Sequence, residues 1–433
     1  MTHVSPRRLT TWAATAMVVT NVVGVGIFLT PAAMMRSVGG LGPALLVWAV
    51  VGLLSVAGAL CYAELTTRFP TAGGGYVFLR EAFGSRAAFV YGWMSLLVTD
   101  PGITAALAIG LAQYLLAATG SSIPLTPVAV AAVCAFGALT LAGRGASSRI
   151  LRWTAAAKLT IVAILVGAGI LRSGSAAASL ADSTQTAAIG MDTLAPAVIA
   201  AFFAFGGWWE LGRMSEEVEA PRRAMPRALI GGVAIVTVIY ALITMAYALS
   251  TSGRIAGGSD EAFVADVGRA LFGPRAGQAL AVIVVVAVCG SLAATLFASP
   301  RMYLAMSRDK VFPGSWLRFD EERGAAPGAT LIQVGLACVL LALGTFEQIL
   351  GYFVPVTVFF LGLSAAALFR LPRPGDDEKV FRTPWYPLPL LLFLLLIGVV
   401  LVLFAAGRPR ATFIGAAIAL AGVPASFLVI RRT

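Results

Sequence analysis

The chain is 433 residues long, 59% hydrophobic and only 12% charged, with a formal net charge of +11. So few charges cannot clothe that much apolar surface in water, which excludes a soluble fold and leaves a polytopic membrane protein. The basic residues lie in short clusters between apolar runs, which excludes a nucleic-acid-binding surface as well.

A helix needs about 20 apolar residues to cross the hydrocarbon of a bilayer, and twelve such runs follow a short tail, residues 1–10. They are Thr11–Met35, Pro43–Thr67, Ala87–Ala117, Leu125–Leu141, Trp153–Leu171, Asp192–Arg213, Ala228–Ser250, Ala276–Tyr303, Ala329–Thr345, Ile349–Phe369, Trp385–Ala406 and Ala411–Ile430. Glycines and prolines punctuate their ends (Gly39-Gly40, Pro70, Gly120, Pro124, Pro327, Pro387). The first run has no small-residue cleavage site and reads as a retained span rather than a signal peptide. The expected architecture is therefore an all-α polytopic membrane protein of twelve transmembrane helices.

Lys and Arg placement sets the orientation, because cytoplasmic loops hold the excess. With the N-terminus inside, the cytoplasmic loops and tails collect twenty-three of the 31 basic residues, from Arg7 and Arg8 to Arg431 and Arg432. Seven fall on the other side, and Lys158 alone lies within a span. Both termini are thus expected in the cytoplasm, with the chain a multi-pass protein of the cell membrane.

Two spans carry the same anomaly. Gly24 and Gly26 interrupt the first apolar run within Thr20 to Pro31, although glycine costs a helix interior about 1 kcal/mol relative to alanine. Gly206 and Gly207 interrupt the sixth, between aromatics. A helix broken in lipid frees backbone groups, which is tolerable only where they line a protein-walled cavity. The first span starts inside and the sixth outside, so the two breaks occupy matching positions in halves of opposite topology. That arrangement points to a transporter's central site. Close helix packing is what either pair alone would otherwise signify.

Four segments carry a family resemblance. GVGIFLTP from Gly24, YAELTTRFPTAGGGYVFLREAFG from Tyr62 to Gly84, FGGWWELGRMSEEVEAPRRAMP from Phe205 to Pro226, and SPRMYLAMSRDKVFP from Ser299 together resemble the amino acid–polyamine–organocation superfamily, in particular its L-type amino acid permease branch. The likeness covers nearly the whole chain. It implies a LeuT-type fold, with five-plus-five inverted repeats and two C-terminal helices. On that frame the chain divides into the tail 1–10, a first repeat 11–171, an external loop 172–191, a second repeat 192–369, a cytoplasmic loop 370–384, and the last two spans with a short tail, 385–433.

The resemblance further implies amino acid transport by alternating access, with no cofactor. Thr20, Gly24, Val25, Gly26 and Ile27 would hold the substrate carboxylate, and Ala204, Phe205, Gly206 and Gly207 the ammonium. Half-helix N-termini suit an anion and freed carbonyls a cation, in agreement. Phe205 would be an aromatic lid and Trp208 a pocket wall. Many relatives have serine at the position of Val25, so carboxylate binding here leans on backbone N–H groups. L-type relatives often have Asp or Asn where Trp209 stands, and the tryptophan favours a smaller substrate.

Ionisable groups inside the spans each carry two readings. Lys158 lies six residues past Arg152, near enough to an interface to snorkel. Related permeases carry a lysine in this span, which supports the other reading: its ammonium sits between the first and eighth spans, where sodium-driven members of the fold hold a cation. Ser291, Thr295 and Ser299 recur on one face of the eighth span and can supply oxygens there, or bond their own helix carbonyls. Asp100 precedes Pro101, the pattern of a helix N-cap at a kink, with proton coupling as the alternative. Glu210 and Arg213, three apart, are expected to pair in a solvated vestibule. Glu64 is expected to cap or pair locally.

No nucleophile–base pair, metal-spaced His/Cys set or phosphate loop is present, so neither an enzyme nor a metal site is expected. The four cysteines lie in apolar runs without paired spacing. The preferred reading is a sodium-independent permease for neutral L-amino acids, working by exchange or proton coupling. Its partners would be the amino acid, the lipid bilayer and a proton; the sequence names no accessory subunit. Transport of cationic amino acids or polyamines is the alternative within the class, and a channel or receptor the alternative outside it.

Overall fold

The computed structural model describes residues 9–142, 156–167, 190–250, 264, 268–269, 273–311, 326–375 and 380–430. Helix falls on each of the twelve apolar runs, and among the described residues there is no strand, only an isolated bridge between Leu9 and Val218. His3 and nearly all of the polar loop 172–191 lie outside the described residues.

The first run is two helices, α1 (Thr11–Val22) and α2 (Val25–Val38). After them come α3 (Leu41–Arg68), the short α4 (Gly75–Phe83), and α5 (Ser85–Met94), joined through a π-turn at Ser95–Thr99 to α6 (Asp100–Thr119). Helices α7 (Leu125–Leu141) and α8 (Ala156–Gly167) follow. The sixth run is α9 (Met191–Ala204), then a 3-10 segment, Trp208–Glu217. The remainder is α10 (Pro221–Ser250), α11 (Pro274–Arg308), α12 (Pro327–Leu343), α13 (Phe346–Arg370), α14 (Leu388–Gly407) and α15 (Pro409–Ile430).

Eight helical stretches among the described residues are long and apolar enough to cross a membrane. The difference from twelve has identifiable causes: the first run is split, while α7, α8 and α12 are shorter apolar helices. Local chemistry sets several ends. Thr10 caps α1 by accepting from Ala13 N–H at 3.3 Å, and Thr345 with Gln348 forms a reciprocal cap on α13. Glycines in the left-handed region end α2 and α6.

Lipid tails are as apolar as the side chains, so packing and interhelical hydrogen bonds hold such a bundle together. The centre shows both. Helices α3 and α10 run against each other, with Trp48 Nε1 donating to Thr244 Oγ1 at 2.8 Å. The Trp48, Tyr240 and Phe205 rings meet at centroid distances of 5.0–5.9 Å, contacts worth about 0.5–1.5 kcal/mol each beyond their buried area. Helix α1 lies on α10, and α2 on α9. The two interrupted segments are therefore held side by side. All four cysteines are free, yet Cys134 on α7 and Cys338 on α12 stand with sulfurs 3.9 Å apart, a proximity their spacing in sequence does not reveal.

Candidate functional site

The first break is compact. Val23 leaves the helix at ψ 76°, Gly24 is extended, and α2 begins at once without a side-chain cap. The N–H groups of its first turn, at Val25, Gly26 and Ile27, have no partner within their own helix. The carbonyls freed at the end of α1 are largely taken. Val19 accepts from Val23 N–H, Val22 from Gly24 N–H at 2.7 Å, and Thr20 from Lys158 Nζ.

The second break is looser. Phe205 and Gly206 still bond back to Ala201 and Phe203 at 3.0 Å, and the turn is completed by Gly207 at φ 111°. A β-carbon there would be strained in this left-handed region and would also stand 3.3 Å from the Asn21 carbonyl oxygen.

The two breaks touch. A β-carbon on Gly26 would lie 2.8 Å from Ala204 Cα, so only glycine admits this approach. The Tyr240 hydroxyl, on α10, stands 2.7 Å from the Val22 carbonyl and 2.8 Å from that of Ala204, one proton bridging both interrupted helices.

Around this crossing lies a cavity. Asn21, Gly24, Gly26, Ala204, Gly206 and Gly207 supply its backbone-rich wall. Ser291, Thr295 and Ser299 line it from α11, Asp100 from α6, Trp209, Glu210 and Arg213 from the 3-10 segment, and Phe353 from α13. A second cavity, reaching Thr30, Gln113 and Arg408, shares only Phe203 and Val354 with the first. Phe203 is thus the ring standing between the two spaces.

Lys158 is buried, and its side chain does not snorkel. Its ammonium donates to the Thr20 carbonyl and, at 2.8 Å, to Ser291 Oγ, so it joins the broken first span to α11. Of the hydroxyl stripe, Ser291 takes part in that contact, whereas Ser299 donates to the Thr295 carbonyl of its own helix at 3.0 Å.

Several side chains lie elsewhere than the sequence suggested. Phe205 is buried against Trp48 and Tyr240 and faces away from the cavity. Residues two apart on a helix point about 200° apart, so Phe203 takes the cavity side that was expected of Phe205. Trp208 packs on Tyr62 and Phe393, and its neighbour Trp209 lines the cavity instead. The Thr20 hydroxyl bonds the Ala16 carbonyl at 2.8 Å, its backbone oxygen is taken by Lys158, and the residue does not line the cavity. Ile27 is buried in the apolar core, and the Ala204 carbonyl is already engaged by Tyr240. The side chain of Val25 lies outside the described set.

Asp100 is not an N-cap. Its N–H continues the π-turn to the Ser95 carbonyl, and its carboxylate accepts from Tyr303 Oη at 2.7 Å and lies 3.5 Å from Arg213 Nη1. The Leu97 carbonyl, which Pro101 cannot serve for want of an N–H, accepts from the Tyr352 hydroxyl at 3.4 Å. Arg213 Nε pairs with Glu210 at 3.0 Å, as the spacing predicted. The pair is not solvated, however: the Arg213 side chain is 5% exposed and that of Glu210 18%. Tertiary closure by Asp100, 113 residues away, makes the difference. Glu64 does pair locally, with Arg68 at 2.5 Å, and also accepts from Thr383 N–H.

Interrupted helices meeting at a buried, backbone-lined cavity in an all-helical membrane protein define a transporter-like class of architecture. The family model described as amino acid permease matches residues 9–424. The chain belongs to the amino acid permease family. It is 28% identical over 441 residues to the cystine/glutamate transporter of Pongo abelii, covering 98% of this chain and 85% of that protein. It is likewise 28% identical to the human large neutral amino acids transporter small subunit 2, over 96% of this chain and 79% of the relative. Against the b(0,+)-type amino acid transporter 1 of Oryctolagus cuniculus the identity is 29%, over 81% and 73% respectively.

Proposed function

We propose that this amino acid permease moves neutral L-amino acids across the cell membrane by alternating access, exchanging one for another or coupling to a proton. The observation that carries the reading is the contact of the two breaks, Gly26 against Ala204 with Tyr240 bridging them. Uncapped N–H groups at the start of α2 offer partial positive charge to a carboxylate. Carbonyls of the turn around Phe205 to Gly207 offer the complement to an ammonium, and Phe203 closes the cavity toward the second space. The proposed frame is twelve spans in five-plus-five inverted repeats with two trailing helices and cytoplasmic termini.

Lys158 stands for the cation of sodium-driven relatives of the fold: its ammonium holds the Thr20 carbonyl and Ser291 together, so transport needs no sodium. The test is counterflow in liposomes bearing the purified protein. Labelled leucine is expected to enter vesicles preloaded with unlabelled leucine, saturably and equally well in sodium or choline. Linear, non-saturating flux would indicate a channel, and strict sodium dependence would overturn the role of Lys158.

A further inference from the structure

The arginines at the end of the bundle where α10 begins divide into two groups. Most are engaged: Arg68 pairs with Glu64, Arg80 with Asp309, Arg301 with Glu217 and Arg308 with Glu216, while Arg373 lies over the Tyr386 ring. Arg222, Arg223 and Arg227, on the first two turns of α10, are exposed and have no carboxylate partner among the described residues. Glu219, the described acid nearest to them in sequence, is exposed as well and pairs with none of the three. Membrane orientation accounts for basic charge at this end, but not for three such guanidiniums around one hollow.

The hollow is a recess of about 470 Å³, lined by the three arginines together with Ile230, Gly231 and Phe381. Small-molecule sites typically occupy about 300–1,000 Å³. Phe381 is fixed by its N–H, which donates to Thr67 Oγ1 at the end of α3 at 3.1 Å. Gly231 keeps the floor open: a β-carbon there would meet nothing within 4 Å. Past it, the same face of α10 continues through Ile235 and Val238, both exposed. Trp385, in the loop that also holds Phe381, is exposed too, and tryptophan favours the level of the lipid headgroups. Charge at the mouth thus gives way to an apolar strip within three turns, the order in which a phospholipid presents its phosphate and its acyl chain.

We propose that this recess binds an anionic phospholipid, with its phosphate on Arg222, Arg223 and Arg227 and an acyl chain along Gly231, Ile235 and Val238. The planar fork of guanidinium matches phosphate oxygens two at a time, and basic pockets between membrane helices suit charged headgroups. A zwitterionic phospholipid carries its own cation, and so lacks the net charge that three arginines without acidic partners call for. The site lies outside the central cavity, so it stands or falls independently of what that cavity carries.

The experiment titrates phosphatidylglycerol into the full chain purified in a neutral detergent, with phosphatidylcholine and soluble glycerol phosphate as comparisons. Bound lipid is read by native mass spectrometry and stabilisation by thermal denaturation. Phosphatidylglycerol is expected to bind saturably and raise the melting temperature, the other two having little effect at the same concentrations. Each arginine near an anionic headgroup is worth about fivefold in affinity. Arg227→Gln is therefore expected to weaken binding about fivefold, and replacement of all three arginines by glutamine about a hundredfold. Gly231→Leu, which keeps every charge and fills only the recess, is expected to weaken it about tenfold. Equal binding of the two lipids, or undiminished binding without the arginines, would overturn the proposal. Stabilisation by glycerol phosphate equal to that by the lipid would mark a free-phosphate site and overturn it too. Unchanged binding in Gly231→Leu would reduce the site to surface charge. Binding that emerges only after Asp376→Asn, Asp377→Asn and Glu378→Gln would mean that the arginines serve the chain's own acidic run, which also sinks the lipid. The lipid comparison uses the unaltered protein, so a variant that fails to assemble leaves the proposal open to refutation.

Discussion

The two helix breaks look alike in sequence and differ in what they leave exposed. At the first, the carbonyls of Val19, Thr20 and Val22 are taken by neighbouring N–H groups, Lys158 and Tyr240, while the N–H groups opening α2 are left without helical partners. At the sixth, a turn through Gly207 leads into a 3-10 segment that carries the site's side-chain charge, Glu210 and Arg213. The first break is a donor surface of main chain; the sixth is a platform for side chains. A pair of glycines can thus open a helix for opposite purposes, decided by what the surrounding helices supply to the freed groups.

Five substitutions bear on that contrast, and the largest effect is expected at the point of contact. Gly26→Leu must push against the backbone of Ala204, which cannot rotate aside. Overpacking of this kind costs about 1–3 kcal/mol where the two breaks meet, and labelled uptake should fall to background while the protein still reaches the membrane. Normal uptake in that variant would refute the placement of the site. Lys158→Met removes the partner of both the Thr20 carbonyl and Ser291. Leaving such buried groups unmade costs about 1–3 kcal/mol, so uptake should drop roughly ten- to a hundredfold.

Tyr240→Phe tests whether one hydroxyl couples the breaks. The Ala204 carbonyl loses this donor while that of Val22 keeps Gly24 N–H, and unfolding in detergent should shift by about 1–2 kcal/mol, read by thermal denaturation. Gly207→Ala should cost about 1–2 kcal/mol through its left-handed backbone, with substrate affinity falling in step. The smallest effect is expected for Arg308→Ala. Its bond to Glu216 at 2.8 Å is half-exposed, and such pairs contribute about 0.2–1 kcal/mol. Uptake there should stay close to wild type, so an effect as large as that of Lys158→Met would show that the ion pairs beyond the cavity matter as much as the breaks themselves.

The helical segments and both interruptions were legible because paired glycines weaken a long apolar helix unless it opens or packs closely at that point. Lys158 could be singled out because it lies well inside an apolar run, away from the basic clusters at the run ends, but its partners belong to α1 and α11, far off in sequence. The aromatic assignments failed for a geometric reason. In AFFAFGGWWE the rings follow one another closely, and the facing of each depends on where α9 stops and how Gly207 turns the chain. Hence Phe203 and Trp209, rather than Phe205 and Trp208, line the cavity. Asp100 was misread because an aspartate before proline fits a local cap so well. Nothing near it in sequence announces Arg213 or Tyr303, which arrive only when α6 packs against α11 and the 3-10 segment.

The isolated bridge noted in the fold has a mechanical meaning. Leu9 N–H bonds to the Glu217 carbonyl at 2.7 Å, and Glu219 N–H returns to the Leu9 carbonyl at 2.8 Å. Together with the Tyr240 bridge, which joins Val22 to Ala204, this ties both ends of α1 to the chain around the second break. A rod pinned twice to its neighbour cannot hinge alone. Whatever tilts α1 is therefore expected to carry the neighbouring chain with it.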